Sequence, residues 1–143
     1  MKDEEIKDVL QRCKTVAVVG ISPKEDRPSY GVAAYLKSKG YRIIPVRPDG
    51  DEILGEKVYH SLPEIPREIE IEVVDIFRKS EDVPPVVEEA IHRGAKVVWM
   101  QEGIINQEAS AKAEKAGLKV VMDLCMKKEH QRLLKQRNNG ILE

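Results

Sequence analysis

The sequence predicts an α/β fold, with a parallel sheet of five strands between two layers of helices. Short apolar, β-branched runs alternate with amphipathic segments along the chain, which is the pattern of repeated strand–helix units. The first run, Thr15–Val19, is apolar at nearly every position, as in a strand buried on both faces. Right-handed crossovers between such strands favour a doubly wound, Rossmann-like, three-layer sheet with strand order 3-2-1-4-5.

Composition and turn residues place the individual elements. The predicted strands cover residues 15–19, 41–46, 70–77, 95–100 and 118–122. Ser29 and Ser80 are good N-cap residues for the first two predicted helices. Two further helices are expected over about 106–116 and 127–136. Residues 47–66 are rich in Pro and Gly and predict an extended crossover with little helix and a short strand near Ile53.

Length and charge bound the functional class. The chain has 143 residues, 41% of them hydrophobic, which fits a single domain over residues 1–143 with a real core. The net charge of −1 argues against a nucleic-acid or membrane-surface binder, which needs a basic excess. The two cysteines are far apart in sequence, which suits a reducing compartment. The acidic start does not resemble a signal peptide, and no apolar run is long enough to span a membrane. These features favour a cytoplasmic protein.

The loop after the first strand is the first candidate site. In a doubly wound sheet the ligand lies beyond the carboxyl ends of the strands, here expected near a switch point between strands 1 and 4. Gly20 is expected to make room for a ligand, so that a larger residue removes binding without unfolding the chain. Ser22, Arg27 and Ser29, with the N–H groups at the helix start, form a candidate phosphate cradle. The alternative is an ordinary turn with solvated charges.

The end of the second strand discriminates between nucleotides. An NAD site has Asp or Glu there to bind the ribose 2′-hydroxyl, whereas a phosphorylated ribose favours Arg. The sequence Pro45-Val46-Arg47 therefore favours NADP or coenzyme A, unless Arg47 is an ordinary surface arginine. At the fourth strand, Gln101 and Glu102 supply hydrogen-bonding groups suited to amides or to an adenine edge.

Six short runs along the chain carry a joint signal: Val18–Ser22, Arg27–Tyr30, Ile44–Val46, Asp75–Arg78, Trp99–Gly103 and Met122–Cys125. Together they resemble the small CoA-binding protein family, which is itself similar to the CoA-binding domain of the succinyl-CoA synthetase alpha subunit. The resemblance implies a Rossmann-type domain that holds CoA through its phosphoadenosine and pyrophosphate groups. Arg47 departs from the family pattern, where asparagine is usual. The resemblance implies binding by Gly20, Ser22, Arg27, Ser29, Tyr30, Phe77, Arg78, Trp99 and Gln101, and Ile21, Pro45, Val46, Arg47 and Glu102 complete the candidate set.

The expected function is binding of CoA or acyl-CoA in the cytoplasm, without catalytic machinery of its own. No nucleophile elbow, P-loop or metal-ligand cluster is recognisable. His60, His92 and His130 have no catalytic partner at a recognisable spacing. The partner is a small molecule, and a homo-oligomer or an enzyme partner remains open. The alternatives are an NADP-binding oxidoreductase, a nucleotide-sensing domain, or an interaction domain with a vestigial site.

Overall fold

The computed structural model describes residues 1–134. These residues form a five-stranded parallel sheet, a two-stranded antiparallel hairpin and five α-helices. The strands are β1 (Thr15–Val19), β2 (Arg42–Val46), β3 (Glu52–Ile53), β4 (Glu56–Lys57), β5 (Val73–Ile76), β6 (Val97–Met100) and β7 (Lys119–Val121). The helices are α1 (Asp3–Arg12), α2 (Pro28–Ser38), α3 (Val83–His92), α4 (Gln107–Lys115) and α5 (Met126–Leu134). Short 3₁₀ turns cover Leu62–Glu64 and Ser80–Asp82.

The sheet lies between two helical layers, which confirms the predicted three-layer α/β fold. Successive strand residues alternate between the two faces, so each face buries its own set of apolar side chains. Side chains of α1, α2 and α5 pack with Val16, Val18 and Val73 on one face. Side chains of α3 and α4 pack with Ala17 and Val74 on the other.

The strand order is β2-β1-β5-β6-β7, so the predicted order was wrong at one position. The third strand of the sheet, β5, pairs in parallel with β1, whereas it was expected beside β2. Tyr59 occupies the outer edge of β2 instead: its N–H donates to the Pro45 carbonyl oxygen (3.0 Å), and its carbonyl oxygen accepts from the Arg47 N–H (3.0 Å). A proline suits that strand, because β2 is at the edge of the sheet.

Arg93 anchors the crossover between β2 and β5. Its guanidinium, at the end of α3, donates hydrogen bonds of 2.9–3.3 Å to four backbone carbonyl oxygens, those of Leu62, Ile65, Pro66 and Ile69. Carbonyl groups in an irregular segment need such partners when they leave water. The crossover is therefore held against α3, and from there the chain enters the sheet beside β1.

Several helix boundaries differ from the prediction. Helix α1 was not predicted, although Ile6, Val9 and Leu10 have helical spacing and are buried. Helix α2 begins at Pro28, in the first helical position that proline favours, and its N-cap is Arg27 rather than Ser29. Ser80 lies in a 3₁₀ turn before α3, so it does not cap that helix.

The last helix was expected to reach residue 136, and residues 135 and 136 lie outside the described part of the chain. The short crossover strand near Ile53 is confirmed as β3. Among residues 1–134, no helix combines the length and the apolar character needed to cross a bilayer.

Candidate functional site

The observed strand order moves the expected site. The connections leave β1 and β5 in opposite directions along the sheet, so the switch point lies between these two strands. The expected position between the first and fourth strands was therefore wrong. An open groove of about 340 Å³ lies at the carboxyl ends of β1 and β5. Its lining residues are Gly20, Ser22, Arg27, Pro28, Ser29, Phe77, Arg78, Lys79 and Ile104.

Gly20 brings the two strand ends together. Its φ is +88°, and a Cβ atom at this position would lie 2.2 Å from the Phe77 carbonyl oxygen and 3.0 Å from Arg78 Cδ. No side chain fits at such distances without movement of the backbone. The expectation that a larger residue leaves the fold intact was therefore wrong. The missing side chain at Gly20 is needed for contact between the end of β1 and the end of β5, whether or not a ligand is bound.

The loop between β1 and α2 is held by two serines. The Ser22 N–H donates to Ser29 Oγ (2.9 Å), and the Lys24 N–H donates to Ser22 Oγ (3.1 Å). Ser29 is buried, so its hydroxyl holds the loop through this hydrogen bond from the interior side. The N–H groups of Ser29 and Tyr30 lie in the first turn of α2, where a helix supplies no acceptor of its own. Of these two residues, Ser29 lines the groove.

Arg47 is tied to the same loop from the end of β2. Its guanidinium donates to the Ile21 carbonyl oxygen (3.1 Å) and pairs with the carboxylate of Asp49 (2.8 Å). The positive charge of Arg47 is thus already matched by a carboxylate. The structure brings Arg47 to the candidate site, but as a group that fixes the loop backbone.

Three cations surround the groove, namely Arg27, Arg78 and Lys79. Within residues 1–134 none of them forms an ion pair with a carboxylate of the chain. Arg78 also lines a second groove of about 240 Å³, which it shares with Arg47 and His60. The lining of the first groove thus carries three cations and no carboxylate, whereas Asp82 and Glu89 accompany Arg47 and Arg78 in the second.

The residues predicted from the fourth sheet strand are not brought to the groove. Trp99 is fully buried, and its indole N–H donates to the Leu124 carbonyl oxygen (2.7 Å). Gln101 is 4% exposed, and its Oε1 accepts from the Met126 N–H (3.1 Å). Both lie in the interior beneath the start of α5, and a lone tryptophan in an apolar strand is typical of a core.

The remaining candidate residues do not line the groove. Glu102 is exposed and pairs with Lys128 (2.9 Å). Ile21 and Val46 are buried in the core, and so is Pro45 in its strand. Tyr30 is half-buried and packs on the face of α1, α2 and α5.

Asp75 is a buried polar residue that sequence reasoning named only as part of a motif. It lies in β5, in register with Val18 and Trp99 on the two neighbouring strands. Its side chain is fully buried, and neither carboxylate oxygen has a hydrogen-bond partner among the described residues. Burial raises the pKa of this carboxyl well above its ordinary value. An acidic residue inside an apolar run was the available signal.

His60, Lys79 and Ile104 were also missed as groove residues. His60 lies in the long crossover, and its Nε2 is 3.2 Å from the Gly50 carbonyl oxygen. Ile104 follows β6 by four residues, and its N–H donates to the Gln101 carbonyl oxygen (2.9 Å). Loop residues of this kind carry no periodic signal in the sequence.

Comparisons with known proteins agree with the resemblance seen in the sequence. The profile of the CoA binding domain family matches residues 14–131. The uncharacterized protein YneT of Bacillus subtilis is 47% identical over 126 residues, which cover 88% of this chain and 92% of YneT. A hypothetical protein from Pyrococcus horikoshii OT3 has a similar structure, with a TM-score of 0.90 and 48% identity over 94% of this chain and 93% of its own.

An enzyme subunit is similar over a smaller part of its length. The alpha subunit of the ADP-forming acetate–CoA ligase I of Pyrococcus furiosus is 38% identical over 97 residues, which cover 64% of this chain but 21% of the subunit. The chain thus spans nearly all of YneT and about a fifth of the ligase subunit. Because the family match runs from the residue before β1 into α5, the protein belongs to the CoA binding domain family.

Proposed function

We propose that the protein binds coenzyme A, as the free thiol or as a thioester, at the carboxyl edge between β1 and β5. The observation that carries this proposal is the meeting of the first turn of α2 with Arg78 and Arg27 around one open groove. Helix N-termini favour anions, because their N–H groups lack acceptors and the helix dipole is positive there. A pyrophosphate group fits this combination of donors and cations.

The donor set of the groove fits the ligand. The N–H groups of Ser29 and Tyr30 are suited to one phosphate, and Arg78 to the other or to both. Gly20 and the serine hydrogen bonds hold the loop close to these donors. Family membership supports the same ligand.

The second groove is suited to the phosphoadenosine part of CoA. It adjoins the first through Arg78, and Arg47, Pro48 and His60 lie along it at the ends of β1 and β2. The chain therefore offers two adjoining grooves with one cation between them. That arrangement suits a ligand with phosphates in its middle and a nucleoside at one end.

Binding, rather than chemistry by the protein, is the function we propose. His130 is the most enclosed of the three histidines, and its Nδ1 is 2.7 Å from the Tyr35 hydroxyl. Its ring also packs edge-on against Tyr35 and Tyr41. These contacts belong to the packing of α2 against α5 and not to the groove.

The experiment combines native mass spectrometry with calorimetry. We expect protein purified without added ligand to retain CoA or an acyl-CoA, and the apoprotein to bind CoA in a titration. Retention of NADP, or tighter binding of NADP than of CoA, would overturn the proposal. Failure of the apoprotein to bind CoA in the titration would also overturn it.

Two matched variants locate the site. Arg78→Ala should weaken CoA about ten-fold or more, since a charge-assisted hydrogen bond contributes roughly 1.5–3 kcal/mol. Arg42→Ala is the control, because Arg42 is exposed at the amino end of β2, on the opposite edge of the sheet. Equal losses in the two variants would contradict the proposed position.

A further inference from the structure

The second groove is lined by two sets of residues that differ in charge. The end of β2 and the crossover that follows it contribute Arg47, His60 and Ser61. The 3₁₀ turn before α3 and the helix itself contribute two carboxylates, those of Asp82 and Glu89. A phosphate monoester carries nearly two negative charges at neutral pH, and carboxylates repel it. The side formed by β2 and the crossover is therefore the one that suits a phosphate.

The two basic side chains on that side differ in how far their own neighbours already occupy them. Arg47 pairs with the Asp49 carboxylate (2.8 Å) and also donates to the Ile21 carbonyl oxygen, so its charge is matched. His60 is exposed, and the Glu64 carboxylate that faces it lies 3.9 Å from its Nδ1, which is beyond hydrogen-bond distance. The imidazole of His60 is therefore the group still open to a ligand phosphate.

One ring nitrogen of His60 is already used by the protein. Its Nε2 lies 3.2 Å from the Gly50 carbonyl oxygen, and a carbonyl oxygen only accepts, so Nε2 carries the hydrogen of this contact. In the neutral ring Nδ1 is then an acceptor, which does not bind a phosphate oxygen. A second proton makes Nδ1 a donor and gives the ring a positive charge, and a phosphate favours both.

We infer that His60, as the imidazolium, binds the 3′-phosphate of CoA through Nδ1 and so determines a preference for CoA over dephospho-CoA. This inference rests on the proposed CoA site, because Arg78 lines both grooves and must first hold the pyrophosphate. The chemistry of the ligand fits two adjoining grooves, since the 3′-phosphate and the pyrophosphate of CoA are attached to the same ribose. The charged side chains that face the imidazole or share its groove are those of Glu64, Arg47, Asp49, Arg78, Asp82 and Glu89.

Calorimetry of the apoprotein with CoA and with dephospho-CoA tests the inference through the ratio of the two dissociation constants. Near pH 6.5 we expect CoA to bind roughly five-fold more tightly, as follows for a charge pair at an exposed position. The preference should fall toward pH 8, because a histidine ring ordinarily gives up its second proton over this range. Equal dissociation constants, or a preference that does not change with pH, would overturn the inference while leaving the CoA site intact.

A glutamine at position 60 separates the phosphate contact from support of the loop. His60→Gln keeps an amide N–H for the Gly50 carbonyl oxygen but carries no charge. It should therefore lose the preference for CoA, while its affinity for dephospho-CoA changes little. The same variant also controls for ionisation of the ligand's own phosphate, which occurs near pH 6.

His92→Ala is the matched control, because His92 is exposed at the end of α3 and lines neither groove. That variant should keep the preference and its pH dependence. If His60→Gln keeps the full preference, the 3′-phosphate lies elsewhere and the inference is wrong. If His60→Gln weakens both ligands equally, His60 supports the loop alone and the inference is also wrong. If neither ligand binds the unchanged protein, the proposed CoA site itself fails.

Discussion

The guanidinium of Arg47 donates a hydrogen bond of 3.1 Å to the carbonyl oxygen of Ile21. These residues are 26 positions apart and follow two neighbouring strands, β2 and β1. The same guanidinium pairs with Asp49, so its charge is matched before any ligand arrives. Arg47 therefore supports the loop of the candidate site from the side.

This relationship predicts how loss of Arg47 affects binding. Arg47→Ala should weaken CoA and dephospho-CoA by a similar factor of roughly ten, because the loop loses a charge-assisted hydrogen bond. Calorimetry with both ligands measures the two factors. If the variant weakens CoA but leaves dephospho-CoA unchanged, Arg47 contacts the ribose phosphate directly.

A second prediction concerns the pyrophosphate of CoA. Arg27 is exposed at the start of α2 and lines the first groove, and it has no carboxylate partner among residues 1–134, so its charge is available to a ligand phosphate. Arg27→Ala should weaken CoA and dephospho-CoA by a similar factor of about ten, because both ligands carry the pyrophosphate. Calorimetry with both ligands measures the two factors, and a loss confined to CoA would show that Arg27 contacts the ribose phosphate instead.

A third prediction concerns stability at Gly20. Gly20→Ala should lower the free energy of unfolding by at least about 2 kcal/mol, because the new Cβ meets the Phe77 carbonyl oxygen and φ is positive. Gly31→Ala is the control: Gly31 lies inside α2 with open space around its Cα. That variant should raise the free energy of unfolding by up to about 1 kcal/mol. Urea unfolding compares them, and equal stability of the two variants would contradict the structure.

A fourth prediction concerns the pH dependence caused by Asp75. Burial raises the pKa of this carboxyl in the folded protein, whereas the unfolded chain releases the proton near pH 4. The folded state therefore holds the extra proton, and the contribution of Asp75 to the free energy of unfolding falls as pH rises above about 4 toward the folded pKa. Asp75→Asn should remove that fall.

Urea unfolding at several values between pH 5 and pH 8 measures the difference between the variant and the unchanged protein. Asp75→Val should also raise the free energy of unfolding at neutral pH, by about 1–3 kcal/mol, since it replaces an unpartnered polar group with an apolar one. Parallel stability curves for Asp75→Asn and the unchanged protein would show that Asp75 does not titrate in this way.

The sequence determined the five strands of the main sheet, four of the five helices and the family. Strands such as Thr15–Val19 are continuous apolar runs because both of their faces are buried, and that signal is local. The loop from Gly20 to Ser29 could likewise be predicted, since the end of a first strand is a fixed place in a doubly wound sheet. The six short runs that resemble the family are also local, and the family match confirms them.

Tertiary structure alone decided the strand order and the surroundings of the candidate residues. The position of β5 depends on Tyr59 at the edge of β2 and on the carbonyl oxygens that Arg93 binds, and neither contact leaves a periodic pattern. Gly20 contacts Phe77, and Arg47 contacts Ile21. The two members of each pair are too far apart in sequence for a local pattern to reveal the contact. Trp99 is removed from the groove by packing under α5. Local propensity selects elements, but contacts between residues far apart in the chain decide which side chains reach the site.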